Sequence, residues 1–491
     1  MISTAPHRPW RPEQTRSCVL GRLVVRLARG YELDHVPHRS ELAGGAAAAL
    51  SLDGGQVDRA LRHHAPAQLV TRVHRAVQTF GANALNRWDE VESETGMSRT
   101  FRIDLDPRVP LLPLCHDLRA IAHVDSVSPE YLSVTPFAAA EPPGMAEAGH
   151  RPSEASRYAH RMVRAAEALA FEPGDMTLVV GIIDSGLELG HAEVTGRYRP
   201  GYDFVDLARD RLSRSVELVG DVANPDRSPH DDMGHGTGCA GIIAARGLSL
   251  EPGLGGACWV LPGRALAAAR LAGRRSLSAV GATEDISAAM KRVVDLGARV
   301  INMSFGTPAS ALREDDPIPH ADVVAYALQR GVVLVAASGN DGSVAAYYPA
   351  ALEGVIAVGS VGESGMPSAF STRGDHVALS APGESIRVPT VHGRYAESSG
   401  TSFAAPFVSG TCALLAARSA RYGTPLTPRM ARSALVASAR PFASGAESAG
   451  CGAGILDARA ALDSLERSLR GASKIRGDPT ATRPNQTSTF T

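Results

Sequence analysis

The sequence predicts an α/β fold in which a doubly wound, mainly parallel sheet is flanked by helices and preceded by a small N-terminal α+β domain. The run "MTLVVGIID", which begins at Met176, is apolar without alternation, as in strands buried on both faces. "ARVINMSFG", "VVLVAASGN" and "GVIAVGSV" repeat this type, and they alternate with the glycine-ended helical stretches "EDISAAMKRVVDLG" and "ADVVAYALQRG". Such alternation builds a sheet whose ligands bind beyond the carboxyl ends of its strands.

The chain up to Thr135 predicts a small α+β domain, here called the front domain. "GRLVVRL", "RTFRIDL" and "DSVSPEYLSV" are typical of strands, and "LLPLCHDLRAIAHV" is typical of a helix. "VDRALRHHAPAQLVTRVHRAVQTF" predicts a further helix with a proline interruption. We therefore predict a front domain over 1–135, a linker rich in Ala, Pro, Gly and Glu over 136–156, a second domain over 157–469 and a disordered tail over 470–491.

Composition excludes some classes of partner. The chain has 491 residues, a net charge of −1 and 44% hydrophobic residues, so nothing indicates a nucleic-acid partner. Its N-terminus is basic, but Arg22 cuts the apolar run of a signal peptide, and no run reaches the roughly 20 residues of a membrane span. We expect a cytoplasmic protein without a membrane partner, or a secreted one if the start codon is mis-called. Six cysteines do not form a disulfide framework, and pairing of Cys412 with Cys451 stays open.

Polar residues at strand ends and helix starts indicate chemistry. "GIIDSG" ends its strand at Asp184, "NMSFG" at 304–306 and "AASGN" at Asn340, while "GHGTGCAGIIAA" and "GTSFAAPFVSG" place His235 and Ser402 at the start of small-residue helices. Singly, such residues are common turn formers and caps. Together they supply a nucleophilic serine, a histidine base, a carboxylate to orient it and an amide donor for an oxyanion.

These segments, in the order Asp, His, Ser, resemble the signature segments of the subtilisin-like serine proteases. The resemblance covers about Arg161 to Leu462. It implies a serine endopeptidase that hydrolyses peptide bonds through an acyl-enzyme intermediate, with Asp184, His235 and Ser402 as the triad and Asn340 as the oxyanion donor. It implies that a protein or peptide substrate pairs with the backbone of Ser304, Phe305, Gly306, Ala337, Ser338 and Gly339.

The resemblance also bears on calcium, which some relatives bind. Glu193 stands near the position of a calcium-binding aspartate, and the insert between Asp184 and His235 carries further candidate carboxylates, among them Asp221, Asp226, Asp231 and Asp232. We read this insert as a solvated surface loop, and the family's calcium loop is replaced by "RGLSLEPGLGGACWVLPG" without an oxygen cage. No cofactor and no metal are therefore expected, and calcium stays the open alternative.

The front domain resembles the family's propeptide in its second half, ending in "VDSVSPEYL". The alternative is an unrelated α+β interaction domain, and the segment up to Asn86 is longer than a propeptide needs. The resemblance predicts a zymogen that cuts itself between Thr135 and Ser156 and is inhibited by its own front domain. Two other functions stay open: a peptide-binding pseudoenzyme, and a different acyl-transfer enzyme on the same triad.

Overall fold

A computed structural model describes residues 17–77, 88–135, 157–223, 225–273, 276–443 and 448–476. The predicted linker and the end of the predicted tail lie outside these residues. The strands are β1 Cys18–Leu27, β2 Leu69–Arg72, β3 Thr100–Asp104, β4 Val124–Val134, β5 Val179–Asp184, β6 Tyr202–Asp203, β7 Val216–Val219, β8 Trp259–Arg264, β9 Ala267–Leu271, β10 Leu277–Ala282, β11 Val300–Met303, β12 Thr307–Pro308, β13 Val333–Ala337, β14 Tyr347–Tyr348, β15 Ile356–Val361, β16 Val377–Pro382, β17 Ile386–Pro389 and β18 Tyr395–Ser398.

The helices fall into two groups. Those of the front domain are α1 Arg39–Ala43, α2 Gln56–His64, α3 Glu90–Glu94 and α4 Leu111–Arg119. Those of the second domain are α5 Tyr158–Met162, α6 Ala165–Phe171, α7 His235–Ala244, α8 Thr283–Asp295, α9 Ala321–Gln329, α10 Thr401–Arg421, α11 Pro428–Ser438 and α12 Ala458–Arg476.

The second domain is built on a parallel sheet with strand order β16-β15-β13-β11-β5-β8-β6. Helices cover both faces of this sheet. Ile182 on one face belongs to the apolar core that includes α7 and α10, whereas the next residue, Ile183, belongs to the core that includes α8 and α9. This burial on both faces explains the unalternating apolar strands of the sequence.

Helix α10 is long and apolar enough to cross a membrane by length and composition, and 89% of that apolar stretch is buried inside the protein. It packs against α7 and the parallel sheet, so we interpret it as a core helix. Its small residues permit this close packing. All six cysteines lie in the described part of the chain, are buried and form no disulfide there, so Cys412 and Cys451 are not paired with each other.

One antiparallel sheet joins the front domain to the second domain. Its strand order is β2-β3-β1-β4-β10-β9-β7, so β4 pairs with β1 on one side and with β10 on the other. Strand β7 comes from the insert between Asp184 and His235. The insert is therefore partly sheet, and the expectation of a purely solvated loop is wrong.

Two element predictions are corrected by the structure. The long predicted helix around Pro66 ends at His64, and Leu69–Arg72 forms β2 beside β3 instead. Proline lacks the N–H of a helical hydrogen bond and forces the preceding Ala65 into extended backbone, at φ −168°. The tail predicted to be disordered from 470 instead continues α12 to Arg476. Arg470 anchors this turn by an ion pair with Glu466.

Candidate active site

Asp184 and His235 form a direct hydrogen-bonded pair. Asp184 ends β5 and is fully buried, and its Oδ1 lies 2.7 Å from Nδ1 of His235, the first residue of α7. Burial opposes the charged imidazole, but the Asp184 carboxylate outweighs this, so the pKa of His235 is raised above its ordinary value. The Nδ1 atom is thereby occupied by the carboxylate, and Nε2 is the nitrogen left for proton transfer.

Asp231 fixes the turn that carries His235, and sequence reasoning assigned this residue to a solvated loop. It is buried, its Oδ1 accepts from Gly234 N at 2.9 Å, and its Oδ2 accepts from Thr237 N at 3.0 Å and Thr237 Oγ1 at 2.7 Å. Ser185 Oγ also donates to it at 2.9 Å and accepts from Gly236 N at 3.0 Å. The signal for this role was present, because an aspartate just ahead of a helix start suits its unpaired N–H groups.

Ser402 is the second residue of α10 and is almost completely buried. Its hydroxyl donates to the Ser304 carbonyl at 3.2 Å, and Ser304 Oγ donates back to the Ser402 carbonyl at 2.8 Å. The ring of the next residue, Phe403, lies 5.3 Å from the His235 ring. The starts of α7 and α10 are therefore neighbours at the carboxyl edge of the parallel sheet.

Asn340 is held against the start of α10. Its Oδ1 accepts from Thr401 N at 2.9 Å and from Thr401 Oγ1 at 2.8 Å, so the oxygen is fixed and the amide nitrogen is aimed away from Thr401. A Cβ atom on Gly400 would lie 2.9 Å from Asn340 Nδ2, and Gly400 has φ +151°, which L side chains rarely adopt. Only glycine fits at this position.

The two segments predicted to bind a substrate backbone lie at adjacent strand ends. Residues 304–306 directly follow β11. Ala337 is the last residue of β13, which pairs with β11, and residues 338–339 come directly after it. Gly306 is already occupied: it exchanges both backbone hydrogen bonds with Val134, at 2.9 and 3.0 Å, in an antiparallel bridge. The end of β4 thus lies between Gly306 and β10. We call this place the cleft.

Cys239 lies one helical turn after His235 and is fully buried, with Sγ 3.4 Å from the Ser402 carbonyl oxygen. Burial and the nearby Asp184 raise the pKa of its thiol well above the ordinary value. The ligand atoms of Cys239, His235 and Asp184 all lie within 4.8 Å of one another. A bulky group on this sulfur therefore has to displace the imidazole.

We expect an organic mercurial to inhibit the protein through Cys239, slowly because the buried thiol is rarely ionised. Peptide hydrolysis measured before and after treatment should fall in the wild type and stay constant in Cys239→Ala. Cys412→Ala, another buried thiol of the same core, is the matched control and should remain sensitive. Inhibition of Cys239→Ala to the wild-type extent would assign the effect to a different cysteine.

Three of the five carboxylates that suggested calcium, those of Glu193, Asp231 and Asp232, already accept hydrogen bonds within the protein. The Glu193 carboxylate is buried and accepts backbone N–H groups from 247–250 at 2.5–3.1 Å, which uses its acceptor positions. Asp231 is occupied as described, and Asp232 accepts from Arg264. Asp221 and Asp226 are exposed. That the protein needs no cofactor stays a prediction.

Comparison with known proteins identifies the family of this chain. A family model described as the subtilase family, Peptidase_S8, matches residues 175–454, more than half of the chain. The chain belongs to the subtilase family. The predicted family and fold class are thereby confirmed.

Individual relatives match the subtilase domain at moderate identity. A thermophilic serine proteinase of Bacillus sp. strain AK1 is 36% identical over 240 residues, which are 49% of this chain and 52% of that protein. Thermitase of Thermoactinomyces vulgaris is 32% identical over 264 residues, 53% of this chain and 82% of that protein. A protease structure from Pseudoalteromonas arctica has a TM-score of 0.52 at 25% identity and covers 64% of this chain and 98% of its own. The match to this chain spans about half the length of the first of these relatives.

Proposed function

We propose that this subtilase is a serine endopeptidase in which Asp184, His235 and Ser402 act as the triad. The observation that carries the proposal is the 2.7 Å hydrogen bond from His235 Nδ1 to the buried Asp184, next to the helix start that presents Ser402. A base held in one tautomer beside a serine hydroxyl is what acyl transfer needs. The present bond from Ser402 Oγ to the Ser304 carbonyl has to be released first, by rotation of the hydroxyl toward His235 Nε2.

The reaction then proceeds in two halves. Ser402 Oγ attacks the carbonyl carbon of the peptide bond while its proton passes to His235 Nε2, and Asp184 stabilises the imidazolium. The same proton goes to the amine as the C–N bond breaks, which leaves an acyl-enzyme. Water then attacks the ester and gives its proton to His235, and Ser402 Oγ takes that proton back as the acid product leaves.

Asn340 is the proposed oxyanion donor, because its oxygen is fixed on Thr401 and its amide nitrogen lies beside Gly400. The oxyanion exists only in the transition state, so Asn340→Ala should lower kcat by about 10²–10³-fold with little change in KM. Steady-state kinetics on one peptide substrate measures both constants. A variant that chiefly raised KM would show that Asn340 binds the substrate ground state.

We further propose that the front domain inhibits its own subtilase domain and is released by a cut within 136–156. The support is the position of β4, whose Val134 pairs with Gly306 while Thr135 N donates to the Ala279 carbonyl at 3.0 Å. An extended segment between two such edges has the pairing of a peptide substrate. The residues that follow Thr135 are then delivered to Ser402 as a tethered substrate, at high effective concentration.

A fluorophosphonate probe tests the activated serine, because such probes react with an activated serine and not with ordinary hydroxyls. The wild type should be labelled at Ser402, as read by peptide mass spectrometry, and Ser402→Ala should not. Absence of labelling in protein that has lost its front domain would indicate the peptide-binding pseudoenzyme. A labelled enzyme that joins added amines to its acyl products faster than it hydrolyses them would indicate the other acyl-transfer enzyme.

A further inference from the structure

The side chain of Ser133, near the end of β4, occupies a closed polar pocket of the subtilase domain. Ser133 is fully buried, and its Oγ lies 2.7 Å from Thr307 Oγ1 and 3.2 Å from His320 Nε2. Both partners belong to the subtilase domain and are buried as well. Thr307 directly follows Gly306, whose backbone holds Val134.

The directions of the hydrogen bonds in this pocket can be assigned from Ser287. We assign the single proton of Ser287 Oγ to the Thr283 carbonyl, 2.9 Å away, so that Ser287 Oγ accepts from His320 Nδ1 at 3.2 Å. His320 is neutral, because burial lowers its pKa to about 3. Its Nδ1 carries the proton, and its Nε2 is therefore a bare acceptor.

With the protons assigned in this way, Ser133 donates to His320 Nε2 and accepts from the Thr307 hydroxyl. The pocket thus offers one acceptor and one donor, which is the pattern that complements a hydroxyl group. The Phe305 ring, 5.7 Å from the His320 ring and edge-on to it, packs against this imidazole. The residues that make the pocket stay with the subtilase domain when β4 leaves the cleft.

We propose that this pocket selects substrates with a hydroxyl side chain, serine before threonine, at the position that Ser133 occupies. The inference rests on the proposed function, in which the end of β4 occupies the place of a substrate. A valine or leucine there would take from the buried Thr307 hydroxyl and from buried His320 Nε2 the hydrogen-bond partner that Ser133 supplies. A carboxylate would face the lone pair of His320 Nε2, and an ammonium group would be buried without a counter-charge.

Quenched fluorescent peptides with the sequence Leu-Xaa-Val-Thr-Phe-Ala-Ala test this selectivity on the full-length gene product, purified as expressed. Leu, Val and Thr copy residues 132, 134 and 135, and Xaa is Ser, Thr, Ala, Val or Leu. We expect kcat/KM for serine to exceed that for valine by about 10-fold or more, since the valine peptide leaves two buried polar groups unsatisfied. Mass spectrometry of the products confirms that all peptides are cut at the same bond.

Two variants connect the preference to the pocket. Thr307→Val is nearly isosteric and removes the donor, and His320→Phe removes the acceptor. Each should lower the serine-to-valine ratio by about 10-fold. Thr195→Val, an exposed threonine whose hydroxyl donates to the His191 carbonyl, is the matched control and should keep the wild-type ratio. If His320→Phe does not fold, Thr307→Val and the wild-type series decide the question.

The outcomes separate this inference from the proposed function. Equal or faster cutting of the valine and leucine peptides by the wild type overturns the inference, as does a serine preference that Thr307→Val leaves unchanged. Protein that reacts with the fluorophosphonate but cuts no peptide of the series, serine included, also overturns the inference alone. Protein that has lost its front domain and neither cuts a peptide nor reacts with the probe overturns the proposed function, and the inference with it.

Discussion

Ser402→Ala should lower kcat for peptide hydrolysis by about 10⁶-fold, because it removes the nucleophile and leaves only binding and the oxyanion donor. The same variant should stay at full length after purification, while the wild type yields a fragment that begins within 136–156. Intact-mass measurement and N-terminal sequencing detect this difference. Both effects follow if one serine attacks substrates and its own chain.

Ser409→Ala is the matched control for this change. It removes another buried hydroxyl of α10, one that donates to Asn302 Oδ1 at 2.9 Å, and should cost about 1 kcal/mol in the free energy of unfolding while the protein remains processed and active. Processing of the Ser402→Ala variant would point to a contaminating protease. A wild type that stays intact yet hydrolyses peptides would show that the front domain is not a propeptide.

Asp184→Asn should lower kcat by about 10⁴-fold, because the amide no longer holds His235 in the tautomer with a free Nε2. The substitution should also move the acid limb of the kcat/KM profile to lower pH. With His235 as the proposed base, the wild-type limb reports its imidazole, whose raised pKa means that activity falls as the pH drops through a value above the ordinary pKa of histidine. Without the Asp184 carboxylate the charged imidazole loses its main electrostatic stabilisation, so the pKa of His235 falls.

Asp226→Asn is the control for the pH effect, since Asp226 is exposed on the insert that precedes His235. Its profile should superimpose on that of the wild type. The assignment of Asp184 fails if Asp184→Asn keeps the wild-type acid limb. Full pH profiles on active-site-titrated enzyme separate a shift of the limb from a uniform loss of rate.

Local sequence patterns were enough to predict the parallel sheet and the placement of the polar residues at its edge. The runs that end at Asp184, 304–306 and Asn340 are buried on both faces, and this burial is a local property of composition. The helix starts at His235 and Ser402 were equally visible, because small residues follow both. The structure brings these four single residues to one edge of the sheet.

Features that depend on distant pairing were not predictable. The segment after Pro66 carries a helix-like apolar pattern, and only its partner β3 decides that it is a strand. The role of Asp231 could not be predicted, because its hydrogen-bond donors come from Ser185 and from the first turn of α7. Only the folded chain places these donors beside its carboxylate. The pairing of β4 with β10 joins residues about 150 positions apart, and no local signal encodes such a register.

If the front domain is released as proposed, the position of β4 has a consequence for the solubility of the subtilase domain. While β4 is in place, β10 is an inner strand and Gly306 is paired. Once β4 leaves, β10 becomes an edge strand, and the facing backbone of Gly306 becomes a second open edge. Unpaired strand edges of this kind form backbone hydrogen bonds with extended chains, including another copy of the same protein. Self-association of the released domain should therefore compete with substrate, and a bound peptide should keep the domain monomeric.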